Sequence, residues 1–124
     1  MTRNSIRFSY LWDKLMAPRF TTIRSWNLEK EDYYRSLVGQ KFQIRKTQER
    51  YPFYREYVVC HAYLESVVKI NPAQAPDYSL LEMDVMLNGS VDRDWLAKIM
   101  KMEDALLMTF SRSPVPHQSL LEVQ

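Results

Sequence analysis

Pro18-Arg19-Phe20-Thr21-Thr22-Ile23-Arg24-Ser25-Trp26 is the stretch on which the reading of this chain turns. A proline opens it, polar turn residues follow it, and its middle reads as a strand. Phe20, Thr22 and Arg24 then fall on one face, and Thr21, Ile23 and Ser25 on the other. Ile23 is its only aliphatic residue, so the strand is poorly suited to burial on both sides, and one face is expected to line a cleft. Two arginines with two threonine hydroxyls between them suit a phosphate, a carboxylate or a base edge better than they suit an apolar core.

Upstream, Ile6-Arg7-Phe8-Ser9-Tyr10 alternates with the period of a half-buried strand, with Ile6, Phe8 and Tyr10 on one face. Leu11, Trp12, Leu15 and Met16 have helical spacing, and Pro18 ends that short helix. Downstream, Asn27 is a good helix N-cap, and Glu29, Glu31 and Asp32 place negative charge in the first turns. Tyr33, Tyr34, Leu37 and Val38 form the apolar set of this helix, and Gly39 stops it. Lys41–Lys46 alternates again as a strand with a basic outer face, and Thr47–Pro52 reads as a polar turn. Around that turn Arg45, Lys46, Arg50 and Arg55 are interleaved with Tyr51, Phe53 and Tyr54. Cations that neutralise phosphates beside rings that stack on bases would serve a nucleic acid. Taken alone, the cluster reads as a solvated hairpin tip.

Residues 56–70 are a long β-rich run whose continuous apolar start resembles a central strand and whose later alternation resembles an edge or a bend. Cys60 within it reads as a small core residue, and His61 as a sheet residue without metal-ligand neighbours. Tyr78–Leu87 reads as a helix ending at Asn88-Gly89, with Glu82 and Asp84 on an exposed face. Ser90 is the expected cap of an amphipathic helix carrying Val91, Trp95, Leu96, Ile99, Met100 and Met102. Residues 104–111 read as the last strand. The domain is thus expected to span residues 1–111, with 112–124, including His117, as a mobile tail.

The 124 residues are enough for one domain with a substantial core, and 46% apolar with 26% charged residues argues against disorder. One cysteine excludes a disulfide framework and a cysteine-rich zinc site. No apolar run is long enough for a membrane span, and no secretory leader is visible, so the expected compartment is the cytoplasm. With two glycines there is no phosphate-binding glycine loop. Neither a GxSxG elbow nor HExxH occurs, and no cofactor or metal is implied. Residues 1–55 hold twelve Lys/Arg and five Asp/Glu, a net of +7, whereas 56–124 hold five and ten, a net of −5. A polyanion-facing side follows if the halves separate in space; the charges cancel if they interleave.

Three stretches resemble the ASCH domain, a branch of the PUA-like β-barrels. Arg19-Phe20-Thr21-Thr22-Ile23-Arg24 is similar to that family's K-x-x-T-I-R strand. Leu37-Val38-Gly39-Gln40-Lys41-Phe42 is similar to its glycine turn entering the next strand. The helix after Ser90 with Leu106–Phe110 is similar to its closing helix and strand. The resemblance implies an α+β fold: a small barrel of five to six strands with about four flanking helices and a cleft that binds RNA or modified nucleosides. It places the family threonine on Thr22 and its arginine on Arg24. Some small members are amidohydrolases on acetylated cytidine that use Lys, Thr and Glu. Here the lysine position falls on Arg19, or on Phe20 in a shifted register, and arginine is too basic to act as a general base. Glu82 and Asp84 are the candidates for the acid.

The leading expectation is an RNA- or nucleotide-binding module without demonstrable catalysis. Arg19, Thr22 and Arg24 line its cleft, and Arg45, Lys46 and Arg50 extend the contact. The alternatives are a nucleoside amidohydrolase, with Thr22, Glu82 or Asp84 in the chemistry, and a structural or partner-binding domain. The surroundings of residues 19–24 separate them: a concave positive cleft favours binding, and an Arg24 paired to a core carboxylate favours architecture.

Overall fold

In a computed structural model, the protein is described over residues 4–50, 53–74 and 78–113, and its side chains over the same residues except 48–50, 53–54 and 78. Tyr51-Pro52, the side chains of Arg50, Phe53 and Tyr54, residues 75–77 and residues 114–124, with His117, lie outside the described residues.

Strand β1 (Ser5–Phe8) buries Ile6 and Phe8 and exposes the residues between them, as its alternation requires. Tyr10 lies beyond the strand, half exposed. A 3-10 turn at Asp13–Met16 stands where a short helix was expected, because four residues before an extended Ala17 and Pro18 leave no room for an α-helical turn to propagate. It buries Leu15. Strand β2 (Arg19–Ser25) follows, then helix α1 (Leu28–Arg35), whose Asn27 side chain accepts from the Lys30 amide at 2.7 Å. Tyr34, Leu37 and Val38 pack on the core; Tyr33 faces outward.

Strands β3 (Lys41–Arg50) and β4 (Phe53–Ile70) form one long hairpin. Thr47–Arg50 is paired strand and not the polar turn that its composition indicates. β4 pairs with β3 in its first half and with β7 (Ala105–Ser111) in its second, and Val59 and Glu65 are left without a partner at two bulges. Bulges bend a strand and raise its twist. Tyr57 and Val58, the apolar start read as a central strand, are exposed, in the half of β4 that β7 does not cover.

Helix α2 (Tyr78–Asp84) ends before Met86, three residues short of the helix read from sequence. Met86–Leu87 (β5) and Ser90–Val91 (β6) form a two-stranded ribbon around Asn88-Gly89. Both turn residues have positive φ, 52° and 81°. Asn-Gly is the preferred pair for this two-residue turn. The cap of α3 (Arg93–Met100) is Asp92, which accepts from the Trp95 amide at 3.1 Å; Ser90 lies in the ribbon.

Among the described residues, the main sheet therefore has five strands in the order β1-β3-β4-β7-β2, with one two-stranded ribbon, three α-helices and two 3-10 turns. The fold is mixed α+β. β1 runs parallel to β3, and β2 antiparallel to β7, so β1 and β2 are the two edges and the hydrogen-bonded ladder stays open between them. Leu15, Phe42, Ile44, Leu64, Leu81, Val85, Leu106, Met108 and Phe110 form the fully buried centre. Arg112, placed in a mobile tail from sequence, is tied down: its amide donates to the Pro18 carbonyl at 2.8 Å and its guanidinium to the Leu15 carbonyl.

Candidate functional site

The two open edges face one another across a polar cluster. Arg24, on β2, donates through Nη2 to the Arg7 carbonyl on β1 at 2.7 Å, and through Nε to Thr22 Oγ1 at 3.1 Å. Its guanidinium lies 4.7 Å from the centre of the Phe8 ring. One side chain thus spans the gap that no backbone pairing closes. Thr22 is 2% exposed, one of the few buried polar residues.

Beside it is an ion pair. Lys14, on the 3-10 turn, places Nζ 2.9 Å from Asp84 Oδ1 at the end of α2, and the two side chains are 8% and 4% exposed. Thr21 donates to the same carboxylate oxygen at 3.0 Å. Desolvation pushes the Lys14 ammonium down from its ordinary value; Asp84 pulls it back by charge and hydrogen bond, and Arg24 adds to the lowering. Burial also lowers Arg24, with Tyr34 and Asp84 acting in the opposite direction. Among the described residues no carboxylate lies within ion-pair distance of Arg24. A half-buried arginine without a paired anion is costly to desolvate, and an incoming anion relieves that cost.

Lys14, Thr22, Arg24 and Asp84 line a cavity of about 120 Å3 together with Phe8, Tyr10, Trp12 and Trp95. A second cavity of about 390 Å3 shares Ser9, Tyr10 and Trp95 with it and adds Lys46 and Thr47. The rings of Tyr10, Trp12 and Trp95 meet edge to face at 5.3–6.0 Å. The inner cavity is smaller than the roughly 150 Å3 dry cavity that holds benzene, and the two adjoin through Ser9, Tyr10 and Trp95.

The expected site residues do not all come together. Thr22 and Arg24 share the cleft with Asp84, which is buried where an exposed helix face was expected, because α2 ends there against the sheet. Glu82 points away and pairs with Arg93 at 3.6 Å. Arg19 is on the opposite face of β2 from Arg24 and pairs with Glu65 at 2.7 Å, so the two arginines do not clamp one ligand. Lys46 lines the outer cavity. Arg45 lies 3.3 Å from Glu56, which also takes Arg7 at 2.8 Å, and this shared carboxylate offsets the basic stripe. Lys14 was absent from the sequence reading; its signal was a charged residue between Trp12 and Leu15 in a short apolar element packed against the strand of interest.

Among the described residues, no helix is long and apolar enough to cross a membrane, and no three His, Cys, Asp or Glu side chains converge as metal ligands would. Comparison of the chain with models of known protein families, with curated proteins and with solved structures found no match.

Proposed function

We propose that this cleft binds RNA or a nucleotide, in a domain of the PUA-like, ASCH-like kind. The observation that carries the reading is Arg24: a half-buried guanidinium without a paired carboxylate, held by Thr22 and the Arg7 carbonyl under a mouth of three aromatic rings. Phosphate or a base edge satisfies its remaining donors, a base stacks on Tyr10 or Trp95, and Lys46 adds a second cation at the outer cavity. The sheet whose two edges approach through a side chain supports the barrel-like architecture that the resemblance implies.

The test is fluorescence anisotropy with labelled single-stranded RNA and with nucleotides. Affinity is expected to fall steeply between about 50 and 200 mM salt. Arg24→Ala is expected to weaken it by about 1–3 kcal/mol. Affinity indifferent to both changes sinks the proposal.

One observation favours a second reading, a nucleoside amidohydrolase. Lys14 supplies, from another element, the lysine missing from the β2 strand, beside Asp84 and in the same cavity as Thr22. Burial lowers the Lys14 pKa, which raises the fraction of neutral amine, the form able to accept a proton, above that of an exposed lysine. Incubation with acetylcytidine and related amides tests it. Turnover abolished by Lys14→Met and Thr22→Ala is expected; no turnover, or turnover indifferent to Thr22→Ala, removes the reading.

A further inference from the structure

A cavity of about 600 Å3 lies outside the cleft, among the 3-10 turn, β2, α2, β5 and β7. Its volume falls within the range of small-molecule pockets. Ala17, Phe20, Met83, Met86 and Leu107 make its walls largely apolar. The charged groups on those walls are already engaged. Arg19 pairs with Glu65 at 2.7 Å. Both Asp13 carboxylate oxygens accept from the Asn88 and Gly89 amides, each at 2.8 Å, and no cation pairs with Asp13 among the described residues. An anion is therefore disfavoured, and the apolar walls suit an uncharged occupant. Lys14 gives that occupant a chemical handle. Among the lining residues, Lys14 alone is shared by this cavity and the cleft. Its side chain is 8% exposed, and its Nζ lies 2.9 Å from Asp84 Oδ1 and 5.3 Å from the centre of the Phe8 ring. Thr21 donates to the same carboxylate oxygen and so holds Asp84 beside the amine. Burial favours the neutral amine, and a desolvated lysine is a nucleophile towards carbonyl compounds.

We propose that Lys14 forms an imine with an apolar aldehyde held in this cavity. The Lys14 ammonium first passes one proton to Asp84. The neutral Nζ adds to the carbonyl carbon, and a proton moves from nitrogen to the former carbonyl oxygen, giving a carbinolamine. Asp84 then returns its proton to the hydroxyl. The C–O bond breaks, water leaves with the electron pair, and the nitrogen lone pair closes the C=N bond. One aldehyde and one ammonium thus give one protonated imine and one water, with no change of oxidation state. The positive charge stays on nitrogen beside Asp84, so the buried pair survives the reaction. The alkyl chain lies against Phe20, Leu107 and the two methionines, which are unbranched, polarisable and adaptable. The inference is independent of nucleotide binding, which uses Arg24 and the aromatic mouth.

The experiment is reductive trapping on the full chain. The protein is incubated with octanal or with propanal in the presence of cyanoborohydride, which reduces an imine to a stable secondary amine, and peptide mass spectrometry maps the alkylated lysines. Octanal is expected to label Lys14 ahead of the exposed Lys30 and Lys101. It is expected to do so roughly tenfold faster than propanal, because the longer chain buries more apolar surface. Octanol, which fills the cavity and carries no carbonyl, slows labelling of Lys14 and leaves Lys30 and Lys101 unaffected. Met83→Glu, at a position 65% exposed and so tolerant of charge, brings the octanal rate at Lys14 down to that of propanal. Alkylation of the exposed lysines with Lys14 spared overturns the proposal. Equal rates with the two aldehydes, no protection by octanol, or a rate indifferent to Met83→Glu overturns it as well.

Discussion

Asp84 and Lys14 show what one buried pair costs and returns. Their attraction offsets the desolvation of both groups only while both are present. Asp84→Asn keeps an amide oxygen that can accept from Thr21 but strands the ammonium without a counter-charge, so a loss of about 3–5 kcal/mol in urea denaturation is expected. Lys14→Met with Asp84→Leu should recover most of it, since an apolar pair of similar volume removes the unpaired charge. Lys14 also sets a pH dependence. Its folded pKa is below the unfolded value of 10.5, so the unfolded state holds more protons within that window, and stability rises with pH as the lysine discharges. From neutral pH towards 10.5, wild type should therefore gain stability relative to the double variant, and a flat difference in urea midpoints would contradict the burial of Lys14.

Elements carry these residues into place, and two small turns decide where. Asp92 caps α3, the helix that brings Trp95 to the cleft and Leu96 and Ile99 to the core. Asp92→Ala is expected to cost about 1 kcal/mol, whereas Ser90→Ala should cost nearly nothing, which denaturation midpoints of the two variants will separate. Gly89 is at φ 81° with open space around it, so Gly89→Ala meets backbone strain and no clash. A loss of about 1–2 kcal/mol follows. The same ribbon is fastened to the 3-10 turn through Asp13, and so it helps hold Lys14 against Asp84. The asparagine-glycine pair is also a place where sequence could have been read better. Its hairpin signal was legible, yet two-residue strands are too short to show a period, and the pair passed for a helix end.

At the scale of the molecule, the buried polar cluster sits where the sheet does not close. Among the described residues, β1 and β2 each lack a backbone partner on one side, and Arg24 bridges them. A ligand bound as proposed in this cleft would contact both edges. Hydrogen exchange at Ile6–Phe8 and Phe20–Arg24 should slow when the cleft is saturated with RNA, while central Leu106–Phe110 stays unchanged. Slowing confined to the β3–β4 hairpin would place the ligand there instead. The charge asymmetry of the two sequence halves gives no such localisation: Glu56 takes Arg7 and Arg45, Glu65 takes Arg19, and Asp84 takes Lys14, all across the halves.

The sequence by itself determined the local elements: the β1 alternation, the Asn27 cap, the amphipathic α3, the last strand and the unusual polarity of β2. These follow from period, capping chemistry and proline, which act over a few residues. It also singled out Thr22 and Arg24, because their residue types are wrong for a core strand. Only the tertiary structure decided their company. Lys14 is eight residues before Thr22 and Asp84 sixty-two after it, and no short-range pattern links them. The edge gap, the buried pair and the parting of Arg19 from Arg24 arise from how β2 pairs with β7 and how α2 ends against it. Side chains on alternate faces of a strand diverge whatever their spacing in sequence, and burial turns an ordinary lysine and aspartate into a closely coupled pair.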